Sequence, residues 1–181
     1  MRAVPTALAE VLLLEPKVHG DARGFFLEPY NKRTFREATG LDVDFVQDNH
    51  SRSRQGVLRG LHYQIRQPQG KLIRVLAGRI FDVAVDMRRS SASFGKSIGI
   101  KLDAESMHML WIPPGFAHGF AVLSDSADIL YKASDYYAPQ HERTLRWNDP
   151  ALAIQWPIAG EPTLSEKDRR GLALADAETY A

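Results

Sequence analysis

Short runs in which apolar and polar residues alternate recur along the chain, and they constrain its fold more than any other feature. In the clearest run, Arg79–Asp86, the side chains of Phe81, Val83 and Val85 share one side of an extended strand. Glycine, proline, asparagine and aspartate separate such runs, which is typical of antiparallel sandwiches and jelly-roll barrels. Further strands are predicted at Gly24–Glu28, Asp44–Gln47, Val57–Gln64, Leu72–Ala77, Ser97–Leu102, His108–Ile112, His118–Leu123 and Ile129–Ala133.

Helical signals are few. The segment Asn31–Gly40 predicts one short helix, with Gly40 as its C-terminal stop. A second helix is predicted to begin at Ser165, because acidic residues follow it in what would be the first turn. The chain has no internal repeat and no linker, so we expect a single all-β domain over residues 1–181 with a few short peripheral helices.

The charges nearly balance. The chain has 23 Lys and Arg against 22 Asp and Glu, a net charge of +1, which argues against a nucleic-acid polymer or a polybasic membrane contact. An anionic ligand must then be held by a few local cations. No apolar run reaches the length of a membrane span, and the N-terminal stretch is a poor signal peptide, so we expect a cytoplasmic protein.

Cysteine is absent, which excludes disulfides and every thiolate-based metal or nucleophilic site, whereas the six histidines leave imidazole metal sites open. The segment Pro113–His118 has the pattern PxGxxH, the second half of the cupin signature. In metal-dependent cupins this histidine acts with an HxH pair and a carboxylate, but the first half here reads His62-Tyr63-Gln64. Because a divalent metal usually needs at least three protein ligands, we expect no metal; a metal-dependent cupin oxygenase is the alternative.

Two polar side chains on predicted strands are candidates for acid–base chemistry. The imidazole of His62 titrates near neutral pH and suits a general base, although a core histidine bonded to a backbone carbonyl is a common alternative. The phenol of Tyr131 suits a general acid, although structural tyrosines are commoner. Arg59 and His62 fall on opposite faces of their strand unless a bulge at Gly60 re-aims one of them. Lys71, taken alone, reads as a solvated cation at a strand end.

Ordered blocks of sequence closely resemble the dTDP-4-dehydrorhamnose 3,5-epimerase family. The resemblance extends from about Val11 to Asp168. It implies a cupin-type double-stranded β-helix without metal or cofactor, acting on a dTDP-linked 4-keto-6-deoxyhexose and inverting C3 and C5, the carbons that flank the ketone. The matching blocks are Gly20–Phe26 with Glu28, Gln47–Ser51, Val57–Gln64, Gln69–Leu72, Phe81–Asp86, Trp111–Phe120, Leu130–Lys132, Trp147–Pro150 and Leu164–Asp168.

The resemblance also implies residue roles. His62 is the base, Tyr131 the acid, Asp168 the partner of His62, and Lys71 lies near the oxyanion that develops on O4. An aromatic residue near Tyr137 would stack on the nucleotide base. Further substrate contacts are implied for Arg23, Glu28, Gln47, Asp48, Asn49, Arg59, His118, Glu142 and Lys167.

A homodimer that exchanges its N-terminal strand is implied as well, so that Arg23 and Glu28 serve the neighbouring site. The same residues have plainer interpretations: Arg23 and Glu28 as a surface pair, Lys167 and Asp168 as part of a helix start, and His118 as a turn cap. An epimerase that inverts one carbon only, and a binding module without catalysis, are the functional alternatives.

Overall fold

Thirteen short strands dominate the computed structural model, which describes residues 1–181. Its helices are α1 (Lys32–Thr39) and α2 (Glu166–Arg169), with single 3-10 turns at Pro139–His141 and Pro150–Leu152. The strands are β1 (Arg2–Pro5), β2 (Leu12–Glu15), β3 (Val18–Asp21), β4 (Gly24–Leu27), β5 (Gln47–Arg54), β6 (Leu58–Gln64), β7 (Lys71–Ala77), β8 (Arg79–Asp86), β9 (Ser97–Asp103), β10 (Met109–Ile112), β11 (Phe116–Val122), β12 (Ser126–Ala133) and β13 (Glu142–Thr144).

Two antiparallel sheets form the body of the molecule. One has six strands in the order β1-β2-β10-β7-β12-β5, and the other has five in the order β13-β6-β11-β8-β9. Consecutive strands such as β11 and β12 therefore lie in different sheets, as in a jelly roll. This arrangement confirms the predicted all-β barrel with few peripheral helices.

Apolar side chains fill the space between the two sheets and also cover their outer faces. Strand β8 illustrates both, because Ile80 and Ala84 belong to the cluster between the sheets, whereas Val83 and Val85 pack in a second cluster. A third cluster includes Phe35 of α1. The predicted alternation of β8 is confirmed, with both of its faces buried.

Helix α1 begins and ends where the sequence predicts, and α2 begins at the predicted position. The side chain of Asn31 accepts hydrogen bonds from the first turn of α1, and Gly40 follows the helix with a φ of 74°. Ser165 caps α2 by accepting from the backbone N–H of Asp168. Neither helix is long and apolar enough to cross a membrane.

Strand boundaries were predicted less well than strand existence. The bounds of β8 are those predicted, but the expected strand Asp44–Gln47 is wrong, since β5 runs from Gln47 to Arg54. All eight residues of β5 are polar, so the strand has no apolar alternation to identify it. Strands β1, β2, β3 and β13 were not predicted; each has only three or four residues.

Strands β3 and β4 pair only with each other and project as a hairpin. All four residues of β3 are exposed, and on β4 the side chains of Phe25 and Phe26 are 59% and 71% exposed. An isolated two-stranded hairpin is marginally stable in water. The apolar surface of this hairpin therefore lacks cover within one chain.

Candidate active site

A cavity of about 720 Å³ lies between the two sheets and is lined by residues of β5, β6, β7, β11 and β12 and of the segment Thr163–Asp168. This volume is within the range of small-molecule sites. The cavity wall is mostly polar: only seven of its 22 lining residues are hydrophobic. It therefore suits a ligand with many hydrogen-bonding groups.

Strand β5 contributes its inward face to this wall. Alternate residues Gln47, Asn49 and Ser51 line the cavity, and Gln47 donates to Asn49 through their side-chain amides at 2.8 Å. Asp48 faces outward instead, where it accepts from Lys132 at 2.9 Å. Because side chains alternate between the two faces of a strand, Gln47 and Asn49 point into the cavity and Asp48 points away from it.

A bulge in β6 decides where Arg59 and His62 point. His62 lies opposite His118 and Arg59 opposite Phe120, so three steps on β6 match two on β11. Both Arg59 and His62 consequently line the cavity. Gly60 makes the bulge possible: its φ is 109°, and a Cβ there would lie 2.6 Å from the carbonyl oxygen of His118.

His62 is held by a buried carboxylate. Its Nε2 lies 2.5 Å from Oδ1 of Asp168, whose residue is 3% exposed. Asp168 also accepts from the Ser165 hydroxyl at 2.6 Å and from the Gly60 backbone N–H at 3.3 Å. The helix start at Ser165 thus aims Asp168 at His62, and the core-histidine alternative, with a backbone carbonyl as partner, is wrong.

The environment sets the protonation of this pair. Burial lowers the pKa of His62 below its usual value, and the bond to Asp168 opposes the change without cancelling it. For Asp168, burial alone would raise the pKa, but the bonds from His62 and Ser165 outweigh it and hold the pKa below normal. A neutral imidazole beside a carboxylate is therefore the resting form at pH 7, and it can accept a proton.

Tyr131 lies on the other side of the cavity. It belongs to β12 of the six-stranded sheet, whereas His62 belongs to β6 of the five-stranded sheet. Burial raises the pKa of Tyr131 above its usual value, so the phenol keeps its proton at neutral pH. A proton donor and a proton acceptor thus approach the cavity from opposing sheets.

Lys71 is a buried cation, not the solvated one that the residue alone suggests. It begins β7, pairs across the strand with Ala133, and is 9% exposed. Burial lowers its pKa to about 8. The nearby carboxylates are engaged elsewhere, Asp82 with His118 at 3.0 Å and Glu142 with Lys167 at 2.8 Å.

His118 is bonded within the barrel and caps no turn. Its Nε2 lies 3.0 and 3.1 Å from the two carboxylate oxygens of Asp82, which is completely buried. No group of three His, Asp or Glu side chains in the molecule is arranged to hold a metal ion. The donor set around the PxGxxH histidine therefore does not fit the metal centre of a cupin oxygenase.

Most of the predicted site residues converge on the cavity, and three do not. Arg23 is exposed in the β3–β4 hairpin and pairs with Asp21, not with Glu28, so the proposed surface pair is wrong. Glu28 follows the hairpin and accepts from Asn31, and Asp48 faces outward. The residues that line the cavity are Gln47, Asn49, Arg59, His62, Lys71, His118, Tyr131, Glu142, Lys167 and Asp168.

Comparison with known proteins identifies the family of the chain. The family model described as dTDP-4-dehydrorhamnose 3,5-epimerase matches residues 5–176 of the chain. The chain belongs to this epimerase family. A dTDP-4-dehydrorhamnose 3,5-epimerase of Pseudomonas aeruginosa is 59% identical over 180 residues, which cover 99% of either chain. The family resemblance of the sequence blocks is thereby confirmed.

Solved structures of the epimerase family share the fold closely. The crystal structure of dTDP-6-deoxy-D-glucose-3,5-epimerase from Legionella pneumophila, in complex with dTDP-4-keto-L-rhamnose, is 48% identical with a TM-score of 0.95, covering 98% of this chain and 94% of that one. The epimerase from Bacillus anthracis, with TDP and pyrophosphate bound, is 43% identical with a TM-score of 0.91, covering 95% and 98%. The cupin-type fold class is confirmed.

The sequence predicts no site role for several residues that line this epimerase cavity or bond to its lining. The Asp82–His118 bond joins strands β8 and β11 and follows from folding of segments that are far apart in the chain. Ser165 bonds Asp168 within the start of α2, so the predicted helix start is the local signal for it. Gln64 and Gln69 also line the cavity. In the sequence Gln64 stands out only as the residue that interrupts an HxH pair; the structure shows that its side chain is buried, at 3% exposure.

Proposed function

We propose that this protein is a sugar-nucleotide epimerase that inverts C3 and C5 of dTDP-4-dehydro-6-deoxy-D-glucose. The product is dTDP-4-dehydro-L-rhamnose, in the biosynthesis of dTDP-L-rhamnose. One observation carries the proposal: a carboxylate-bound imidazole, His62, and a protonated phenol, Tyr131, face one cavity from opposing sheets. Inversion at a carbon needs a base on one face of the sugar and an acid on the other.

His62 is the base. In its neutral form the imidazole takes the proton from the carbon beside the C4 ketone, and the carboxylate of Asp168 stabilises the imidazolium that results. The lowered pKa of His62 keeps it available as a base at pH 7. General base catalysis of this kind contributes roughly 10² to 10⁴ in rate.

Lys71 stabilises the enolate. When the proton leaves C3 or C5, its electron pair moves into the ketone and negative charge develops on O4. A buried ammonium close to that oxygen interacts strongly because little water screens it. With a pKa of about 8, Lys71 is mostly charged at pH 7. The ketone of the substrate is the electron sink, so the reaction needs no redox cofactor.

Tyr131 completes each inversion. The phenol donates its proton to the same carbon from the opposite face, and the enolate collapses to the ketone. His62 then loses its proton and Tyr131 regains one before the second carbon reacts. Arg59 and Lys167 supply positive charge for the diphosphate, while Gln47, Asn49 and the exposed ring of Tyr137 form the nucleotide end of the site.

A homodimer is part of the proposal. The β3–β4 hairpin, with Phe25 and Phe26 exposed, has an apolar surface that a second copy of the chain would cover. Arg23 and Glu28, which lie away from the cavity of their own chain, would then reach the site of the neighbour. Replacement of Phe25 and Phe26 by serine should convert the dimer to monomers in sedimentation and raise the KM for the sugar nucleotide.

Solvent deuterium incorporation tests the reaction directly. The protein is incubated with dTDP-4-dehydro-6-deoxyglucose in D₂O, and deuterium at C3 and C5 is read by NMR. We expect deuterium at both carbons together with the L-rhamno product. Deuterium at one carbon only would establish an enzyme that inverts a single centre. No incorporation would refute the enzyme proposal and favour a binding module.

A further inference from the structure

We propose that Gln64 is a positioning residue that fixes Tyr137 as a preformed surface for the nucleotide base. The inference rests on the proposed function and extends it to a residue whose side-chain amide bonds only to backbone groups of this chain. It also gives a use to the glutamine that stands where metal-dependent cupins have the second histidine of their HxH pair.

The side chain of Gln64 is engaged entirely by backbone groups. Its Nε2 donates to the carbonyl oxygens of Gln67 at 2.7 Å and Tyr136 at 3.2 Å, and its Oε1 accepts from the N–H of Ala138 at 2.8 Å. At 3% exposure it has little contact with solvent. Gln64 thus binds the residues immediately before and after Tyr137, and strand β6 holds the segment that carries this ring.

Two more glutamines hold the same segment. The backbone N–H of Tyr137 donates to Oε1 of Gln47 at 2.9 Å, and Nε2 of Gln69 donates to the carbonyl oxygen of Asp135 at 2.8 Å. We call Gln47, Gln64 and Gln69 the glutamine clamp. Together they bind one backbone group of each residue from Asp135 to Ala138.

The clamp leaves the ring of Tyr137 fixed but uncovered. The backbone is held by the clamp, and the phenol donates to Oε2 of Glu142 at 3.0 Å, yet the residue is 51% exposed beside the cavity. An exposed ring that is held at both ends loses little conformational entropy when a flat aromatic ligand stacks on it. The occupant that suits it is the base of a nucleoside diphosphate.

The test uses dTDP as the probe and Gln64→Glu as the main variant. Glutamate keeps the shape of the side chain but replaces the donor by an oxygen that faces the carbonyls of Gln67 and Tyr136. We expect the Kd for dTDP, measured by calorimetry, and the KM for the sugar nucleotide to rise about tenfold. The turnover rate at saturating substrate should stay within about twofold, because proton transfer is untouched.

A double-mutant cycle separates positioning of Tyr137 from a general structural role. If Gln64 acts through this ring, then in a Tyr137→Ala background Gln64→Glu should weaken dTDP binding by less than about twofold. Equal weakening in both backgrounds would refute the proposal, as would a loss of turnover with an unchanged Kd. The matched control is Gln155→Glu, the same change at an exposed glutamine away from the cavity, which should alter neither constant.

The half-buried Gln69 provides the second variant in case Gln64→Glu fails to fold. Gln69→Glu removes the bond to Asp135 and should raise the Kd for dTDP in the same direction, again only while Tyr137 is present. An unchanged Kd in this variant, if Gln64→Glu does not fold, would refute the clamp. Because dTDP binding needs no turnover, wild-type protein that binds dTDP but exchanges no deuterium would refute the epimerase proposal alone.

Discussion

Replacement of Lys71 by methionine should make the protein more stable and much less active. Methionine is also a long unbranched side chain, and the change removes the positive charge. Lys71 is 9% exposed, and burial lowers its pKa from 10.5 to about 8. At pH 7 the free protein therefore buries a charged ammonium at a cost in stability, which the negative charge on O4 would offset during the reaction.

The pKa sets the size of that cost. The change from 10.5 to about 8 corresponds to about 3 kcal/mol, at about 1.4 kcal/mol per pH unit. A domain of this size gains roughly 2 to 4 °C in Tm per kcal/mol, so Lys71→Met should raise Tm by about 6 to 12 °C at pH 7. The turnover rate should fall by about 10² to 10³, as is typical when one group that stabilises an oxyanion is lost.

The pH dependence gives the decisive assay, thermal unfolding of both proteins at pH 7 and pH 10. A lowered folded-state pKa means that Lys71 destabilises the fold below about pH 8 and that the penalty fades as the pH rises towards 10.5. The wild-type protein should thus regain stability relative to Lys71→Met between pH 8 and pH 10. A variant that is less stable at pH 7, or a difference that does not shrink at pH 10, would contradict the argument.

Three other outcomes are expected. Tyr131→Phe should keep proton abstraction, measured as isotope exchange at C3 and C5, but its rate of net inversion should fall by about 10² to 10⁴. His62→Ala should lose both exchange and inversion. Exchange at the wild-type rate in His62→Ala would show that His62 is not the base. Gly60→Ala places Cβ 2.6 Å from a backbone oxygen and should lose activity and more than about 3 kcal/mol of stability, while Gly56→Ala, with no atom within 4 Å, should cost about 1 to 3 kcal/mol and keep activity. In the wild-type protein kcat/KM should decrease at pH values below the lowered pKa of His62, where the base is protonated, and decrease again above about pH 8, where Lys71 loses its charge. If a Lys71→Arg variant kept the decrease above pH 8, that decrease would belong to another group.

The sequence predicts strands well where one face is apolar and poorly where both faces are polar. The bounds of β8 follow from Ile80, Val83 and Val85, which pack in the core. Strand β5 is invisible to the same reasoning because the residues on its inward face, such as Gln47 and Asn49, meet a polar cavity in place of a core. The polar residues that place β5 in the cavity wall are the reason that the strand has no alternation of apolar and polar residues in the sequence.

The site was predicted as a set of residues, but its geometry depends on pairings between distant segments. Alternation alone does not decide whether Arg59 and His62 share a face; the bulge at Gly60 does. The burial of Lys71 at 9% exposure is set by packing around the start of β7, which a residue at a strand end does not reveal. The role of Lys71 near O4 is implied by the family resemblance and stays a prediction; the burial of its ammonium is the physical argument that supports it.

The hydrogen bond between His62 and Asp168 joins positions 106 residues apart in the chain. Loops of that length close late and slowly, because they lose much conformational entropy before any contact is gained. During refolding, sheet structure between neighbouring strands such as β8 and β9 can form while the proton-accepting pair is still separated. Recovery of catalysis should therefore lag behind recovery of the far-ultraviolet circular dichroism signal. Regained activity would then show that the two distant segments carrying His62 and Asp168 have come together.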